Sequence, residues 1–265
     1  MSTHTSLFTT ANGKTIHYQW MNAQNVSPTK PLLIFLHEGL GSIRQWKDFP
    51  ALLCEATGLG GLAYDRYGYG LSSALSEERD SHYIENGGLN ELPALLDALE
   101  INQPVILVGH SDGGSVALVF AGAYPERVVG VITEAAHLFL EQMSVAGIAK
   151  TEAVFKEGRL KELLSRYHGE RTERMFYGWA ATWQNPSFRN WNIEKYLKGI
   201  TAPTLAIQGV DDEYGTEKQV DAVVAGVSGH VEKWMVPACG HIPHFQQKEQ
   251  VLQRMSTFIN QFCNQ

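Results

Sequence analysis

Residues 104–114, PVILVGHSDGG, constrain this chain more tightly than any other stretch. Residues 105–108 form an apolar, mostly β-branched run long enough for one buried strand. Gly109-His110-Ser111-Asp112-Gly113 follows with no linker, and residues 115–123 (SVALVFAGA) read as a well-packed helix. Ser111 therefore falls at the corner of a strand-turn-helix unit, flanked by glycines where a side chain would clash. Such a corner lifts the hydroxyl out of the sheet and aims the backbone N–H groups of the helix start at whatever the hydroxyl meets. In a chain with 25 glycines the pentapeptide also arises by chance, so its surroundings decide its meaning.

Elsewhere, short β-type runs alternate with helical patterns. Residues 15–20 follow an Asn12-Gly13 turn and predict an opening hairpin, while 31–36 and 62–64 read as buried strands. Apolar residues at three- and four-residue steps mark helices over 46–55 and 89–99, and strand-like runs return at 105–108, 128–133, 204–208 and 231–236. This alternation implies an α/β fold, a largely parallel sheet covered on both faces, with ligands bound beyond the carboxyl ends of its strands. Those ends carry His37-Glu38-Gly39-Leu40-Gly41-Ser42, Asp65-Arg66-Tyr67-Gly68-Tyr69-Gly70, Gly209-Val210-Asp211-Asp212-Glu213 and Pro237-Ala238-Cys239-Gly240-His241. A serine, then an acid, then a histidine, each just past a strand, is one of several chain orders in which a catalytic triad occurs.

Composition removes other classes. With 265 residues, 44% of them hydrophobic, one large core with an insertion fits better than two domains. The formal charge of −7 and the lack of a Lys/Arg cluster exclude a nucleic-acid partner. No apolar h-region opens the chain and no run is long enough to span a bilayer, so a soluble protein without a membrane partner is expected. Cys54, Cys239 and Cys263 are odd in number and lack metal-like spacing, which reads as reduced thiols in a cytoplasm. His241 and His244 stand three apart without a third ligand, and the glycines near 58–61 and 68–70 make no dinucleotide fingerprint. Neither metal nor cofactor is expected.

Taken in order, the HEGLGS turn, the DRYGYGLS loop, the GHSDGG corner, the GVDD loop and the CGHIPH loop resemble those of α/β-hydrolase fold serine esterases, over nearly the whole chain. The Ser-Asp-Gly-Gly corner and the size of the segment after 133 are most similar to the biphenyl hydrolase-like and valacyclovir hydrolase group. The resemblance implies an α/β-hydrolase core over 1–133 and 199–265, with a helical cap inserted at 134–198. It also implies cleavage of a small carboxylic ester through an acyl-enzyme. Rival chemistries on the same triad are carbon-carbon bond hydrolysis and amidase or aminopeptidase activity. A rival of another class is a ligand-binding protein that keeps the fold without turnover. Dehalogenase and epoxide hydrolase relatives use an aspartate where this chain has Ser111. Whether the chain is a monomer or a homo-oligomer stays open.

Within that reading Ser111 is the nucleophile and His241 its base, since an imidazole accepts a proton near neutral pH and returns it to a leaving group. The family's Gly-x-x-Asp spacing selects Asp212 to orient His241, with Asp211 as the alternative. One oxyanion donor is the Asp112 N–H. The second comes from Glu38, Gly39 or Leu40, with Gly39 chosen. Glu38 departs from the commoner His-Gly-x pattern; its carboxylate is either turned into a structural hydrogen bond or used to select substrate. The Asp112 carboxylate either meets the cation of an amine-bearing ester or caps the helix that follows. His37, Asp65 and Arg66 read as loop-shaping residues and His110 as a packing residue. In the aromatic-rich cap, Phe139, Trp179 and Trp183 are the candidates to face a ligand.

Overall fold

The computed structural model describes residues 6–263. Its first two strands, β1 (Leu7–Ala11) and β2 (Lys14–Met21), are joined by Asn12 and Gly13 at φ 49° and 70°. Two successive positive φ values make the primed turn whose twist suits a hairpin, and the Ala11–Lys14 pair closes it. The sheet continues with β3 (Leu32–Leu36), β4 (Gly61–Tyr64), β5 (Val105–His110), β6 (Val128–Glu134), β7 (Thr204–Gly209) and β8 (Val231–Val236). Their order is β1-β2-β4-β3-β5-β6-β7-β8. β2 runs antiparallel to both β1 and β4, and every pairing from β4 to β8 is parallel.

The helices are α1 (Phe49–Thr57), α2 (Tyr83–Asn86), α3 (Leu92–Ala98), α4 (Asp112–Ala123), α5 (Gln142–Lys156), α6 (Arg159–His168), α7 (Thr172–Gln184), α8 (Lys218–Gly226), α9 (Pro243–Gln246) and α10 (Lys248–Phe262). Side-chain alternation along the strands sorts them into two apolar layers. Leu32, Ile34, Leu36, Val105 and Leu107 join the layer that holds α4 and the apolar side chains of α5 to α7; Leu33, Phe35, Ile106 and Val108 face α1 and α10.

Three expected boundaries move for local reasons. The helix read at 46–55 becomes a 3-10 turn at Ile43–Trp46 followed by α1, whose first turn accommodates Pro50 because the missing N–H has no acceptor there. The helix read at 89–99 becomes a π turn at Gly87–Glu91 leading into α3. Pro93 has no N–H to give the Leu89 carbonyl, and the wider turn ahead of it absorbs the mismatch. Finally α4 begins at Asp112 rather than at 115, so Asp112, Gly113 and Gly114 form its first turn.

Between β6 and β7 the chain leaves the sheet to build a cap from α5, α6 and α7. Phe155 stacks on Phe176 with ring centroids 3.7 Å apart, and Trp183, Phe188 and Trp191 form a second aromatic cluster. His168, buried at the end of α6, ties cap to core: its Nδ1 accepts the Gly70 N–H and its Nε2–H donates to the Leu40 carbonyl, both at 3.0 Å.

The start of α4 lies hard against the ends of its neighbours. A Cβ on Gly113 would stand 2.0 Å from the Leu36 carbonyl oxygen, and one on Gly109 would stand 2.4 Å from the carbonyl oxygen of Gly113. Gly113→Ala is expected to lower the unfolding free energy in urea by about 1–3 kcal/mol, the usual cost of overpacking. A change within experimental error would mean that α4 is not wedged as described.

Candidate active site

Ser111 ends the turn between β5 and α4 at φ 51° and ψ −120°, a conformation that costs a non-glycine residue about 1–3 kcal/mol and persists only when its surroundings enforce it. The enforcement is visible. The Ser111 N–H donates to the Glu134 carbonyl at 2.8 Å, and the Ser111 carbonyl accepts the Ser115 N–H at 3.0 Å. The first N–H groups of α4 lack helical acceptors and carry the positive end of its dipole.

Adjacent pairing of β7 and β8 brings the loops that follow them together. Gly209 permits the approach, since a Cβ there would lie 2.1 Å from the Gly240 carbonyl oxygen. His241 Nε2 lies 3.0 Å from Ser111 Oγ, and His241 Nδ1 lies 2.9 Å from Asp212 Oδ1. Asp212 is buried and its Oδ1 also accepts the Tyr214 N–H at 2.9 Å. Burial acts to raise its pKa, but the neighbouring imidazole and these hydrogen bonds hold it below the usual carboxylate value. An ionised carboxylate only accepts, so Nδ1 of His241 carries the proton and its Nε2 lone pair faces the serine hydroxyl. Asp211 is exposed, and its N–H donates to the Cys239 carbonyl. Of the two adjacent acids, Asp212 is the one that reaches His241.

Beside this chain of hydrogen bonds, residues 38–41 form a turn closed by the Gly41 N–H on the Glu38 carbonyl. The contact of Gly113 with the Leu36 and His37 carbonyls sets this loop against the first turn of α4. Among the described residues, no protein acceptor takes the N–H of Gly39 or of Leu40. The Glu38 carboxylate turns back over Gly41 toward His110, with Oε2 3.5 Å from Nδ1. His110 in turn donates Nε2–H to the His241 carbonyl at 2.7 Å. Burial opposes the charge on Glu38, yet the His110 contact brings its pKa down to about 2; burial likewise opposes the charge on His110, and Glu38 raises it. Of the two uses open to Glu38, a structural hydrogen bond or substrate selection, the geometry favours a structural contact, an ion-pair approach to His110 at 3.5 Å.

The Asp112 carboxylate lies elsewhere than either sequence reading put it. Only 1% exposed, it makes no capping bond; Oδ2 accepts the Tyr83 hydroxyl at 2.7 Å and stands 3.5 Å from Arg66 Nη2. An internal cation and a phenol already satisfy it. Tyr83 also receives the Trp183 indole N–H at 2.6 Å, so Trp183 is anchored to this network, and its ring meets His137 edge-on. Trp179 covers the loop at Gly39, where a Cβ would lie 2.2 Å from Nε1. Phe139 instead sits at the root of the cap, bridged to Asn192 and packed on the main core.

Three neighbours of the site went unread in the sequence. The Tyr214 ring lies 4.6 Å from the His241 ring, tilted against it, and the His137 ring lies 5.9 Å from His241, its Nε2 on the Tyr214 carbonyl at 3.2 Å. Burial and the nearby His241 lower the pKa of His137. Tyr83, in the short helix before the π turn, is the third. The only signal for Tyr214 was its position two residues past Asp212, and for His137 its position three residues past β6. His244, three residues past His241, pairs with buried Glu134 through Nδ1 at 2.6 Å.

Comparison with known proteins places this geometry. A sequence profile of the alpha/beta hydrolase family matches residues 33–254. The chain is 29% identical over 165 residues to a 2-succinyl-6-hydroxy-2,4-cyclohexadiene-1-carboxylate synthase of Enterobacter sp. (strain 638), covering 61% of this chain and 55% of that protein. It thus spans little more than half the length of that relative. Among solved structures, a membrane phospholipase A described as a bacterial virulence factor superposes with a TM-score of 0.76 at 19% identity, over 97% of this chain and 86% of the other. The enol-lactonase from Burkholderia xenovorans LB400 superposes with a TM-score of 0.74 at 18% identity, over 96% and 99%. By the extent of the profile match, together with the strand order and the Ser-Asp-His order on it, the chain belongs to the alpha/beta hydrolase family.

Proposed function

We propose that this protein is a serine hydrolase that cleaves small carboxylic esters through an acyl-enzyme. The observation that carries the reading is the continuous hydrogen-bond chain Ser111–His241–Asp212, at 3.0 and 2.9 Å. As Ser111 Oγ attacks the acyl carbon its proton passes to His241 Nε2, while Asp212 holds the imidazole and stabilises the cation that forms. The tetrahedral oxygen is held by the N–H groups of Asp112 and Gly39. Collapse expels the alcohol, which takes the proton from His241, and water repeats the sequence to release the acid. Trp179, over Gly39, and Trp183 wall the acyl side from the cap. The enzyme needs no metal or cofactor. Three buried cysteines without disulfide bonds fit a reducing cytoplasm.

A second reading, carbon-carbon bond chemistry on the same triad, draws on the name of the Enterobacter relative and on a likeness to the meta-cleavage product hydrolase of Pseudomonas fluorescens IP01. A preference for amine-bearing esters loses its basis, because the carboxylate that would have recognised the amine is engaged by Arg66 and Tyr83.

Turnover of short p-nitrophenyl esters is expected, with Ser111→Ala losing it and Asp212→Asn reducing kcat by about 10³- to 10⁴-fold. Turnover that survives in Ser111→Ala would remove the proposal, and turnover only of vinylogous diketones would favour the second reading. Asp112→Asn is expected to leave the ratio of rates on amino-acid esters and simple acyl esters unchanged; a selective loss on amino-acid esters would restore amine recognition.

Glu38 and His110 add a pH signature to stability. The depressed pKa of Glu38 contributes stability above its ordinary value of 4.5 that is lost as pH falls toward 2. The raised pKa of His110 contributes stability that is complete below 6.5 and lost as pH rises through its folded value. The stability difference between wild type and Glu38→Gln in urea is therefore expected to be greatest between about pH 4.5 and 6.5 and to shrink on both sides. A difference independent of pH would show that the pair is not ionised.

A further inference from the structure

The carbonyl of Glu38 collects an unusual set of donors. The Arg66 backbone N–H donates to His37 Nε2 at 3.0 Å, so that nitrogen is unprotonated and the proton of the neutral ring sits on Nδ1, which donates to the Glu38 carbonyl at 2.8 Å. Burial and the charge of Arg66 push the His37 pKa down to about 3, which keeps this tautomer across the working pH range. The Arg66 guanidinium donates to the same oxygen through Nη2 at 3.0 Å, and the Gly41 N–H does so at 3.1 Å. Arg66 is 4% exposed and lies over the Tyr69 ring.

That carbonyl belongs to the peptide whose other half is the Gly39 N–H. A peptide group is planar, so fixing the oxygen fixes the direction of the N–H. A cationic donor on the oxygen also polarises the group and strengthens the N–H as a donor. The same Nη2 reaches Asp112 Oδ2 at 3.5 Å, and Asp112 carries the other N–H. One guanidinium therefore bridges the two backbone segments that flank the reacting oxygen.

We infer that Arg66 is a positioning residue that sets both halves of the oxyanion hole, through the Glu38–Gly39 peptide and through Asp112. This rests on the proposed role of the Gly39 and Asp112 N–H groups, and the test separates the two. Arg66→Lys, Arg66→Met and Arg66→Ala are compared with wild type on p-nitrophenyl acetate, with rates expressed per reactive serine counted by a fluorophosphonate. That count removes misfolded protein from the comparison. Arg66→Met is expected to lower kcat per reactive serine by about 10- to 100-fold, less than the direct loss of a donor, with KM nearly unchanged. The inhibition constant of a short alkylboronic acid, whose tetrahedral adduct places an oxygen in the same hole, should rise by the same factor. Arg66→Lys, which keeps the charge but cannot span both segments, should fall between, and methylguanidinium should restore part of the rate of Arg66→Ala. Unchanged kcat and boronate affinity per reactive serine, or a change confined to KM, would overturn the inference while leaving the serine hydrolase reading intact. Wild-type enzyme that turns over esters but does not bind boronate more tightly than a neutral isostere would remove the oxyanion assignment itself, and the inference with it.

Discussion

One close approach governs the rest of the molecule: the first turn of α4 rests on the carbonyls that end β3, at a distance only a glycine at 113 allows. To enter α4 from β5 at that angle, the backbone at Ser111 must take a positive φ. The strain is offset by hydrogen bonds to β6 and within α4, and by two apolar layers that clamp the sheet from both sides. Three consequences meet at one point. The serine hydroxyl leaves the sheet, the unfilled N–H groups of the helix start face it, and the loop after β3 is brought alongside.

Around that point lies a shell of polar pairs: the buried pairs His17 with Asp65, Glu134 with His244 and Arg66 with Asp112, and the half-buried Glu38 with buried His110. Such pairs contribute little net stability, because desolvation offsets attraction, but removing one partner strands the other. Their placement suggests what they are for. Asp65 binds the Ile43 and Leu71 N–H groups at 2.7 and 2.8 Å, so it joins two loops that no strand pairing connects. His110 holds the carbonyl of His241, and the His244 ring, paired with Glu134, meets the His110 ring edge-on.

Sequence reading succeeded where chemistry and secondary structure are written locally. The strand-turn-helix at Ser111, the strands that precede Asp212 and His241, and the hairpin at Asn12-Gly13 all depend on residues a few positions apart. It could choose between Asp211 and Asp212 only by family spacing, because which of two neighbours is buried depends on how β7 meets β8. It could not foresee the fate of Asp112, whose partners Arg66 and Tyr83 lie 46 and 29 residues away, Tyr83 in turn receiving the indole N–H of Trp183 from the cap. The π turn before Pro93 was hidden because its apolar pattern still reads as a regular helix. Composition alone does not sort the cap aromatics: Trp179 and Trp183 are buried in the main core and Phe139 is partly buried against it.

The most direct test is intact-mass spectrometry of the protein treated with a fluorophosphonate, followed by peptide mapping. An activated serine is expected to give one adduct, confined to Ser111 and lost in His241→Ala, since a free serine hydroxyl does not react at neutral pH. No adduct, or one that persists without His241, would contradict the assembly of Ser111, His241 and Asp212 into a working nucleophile.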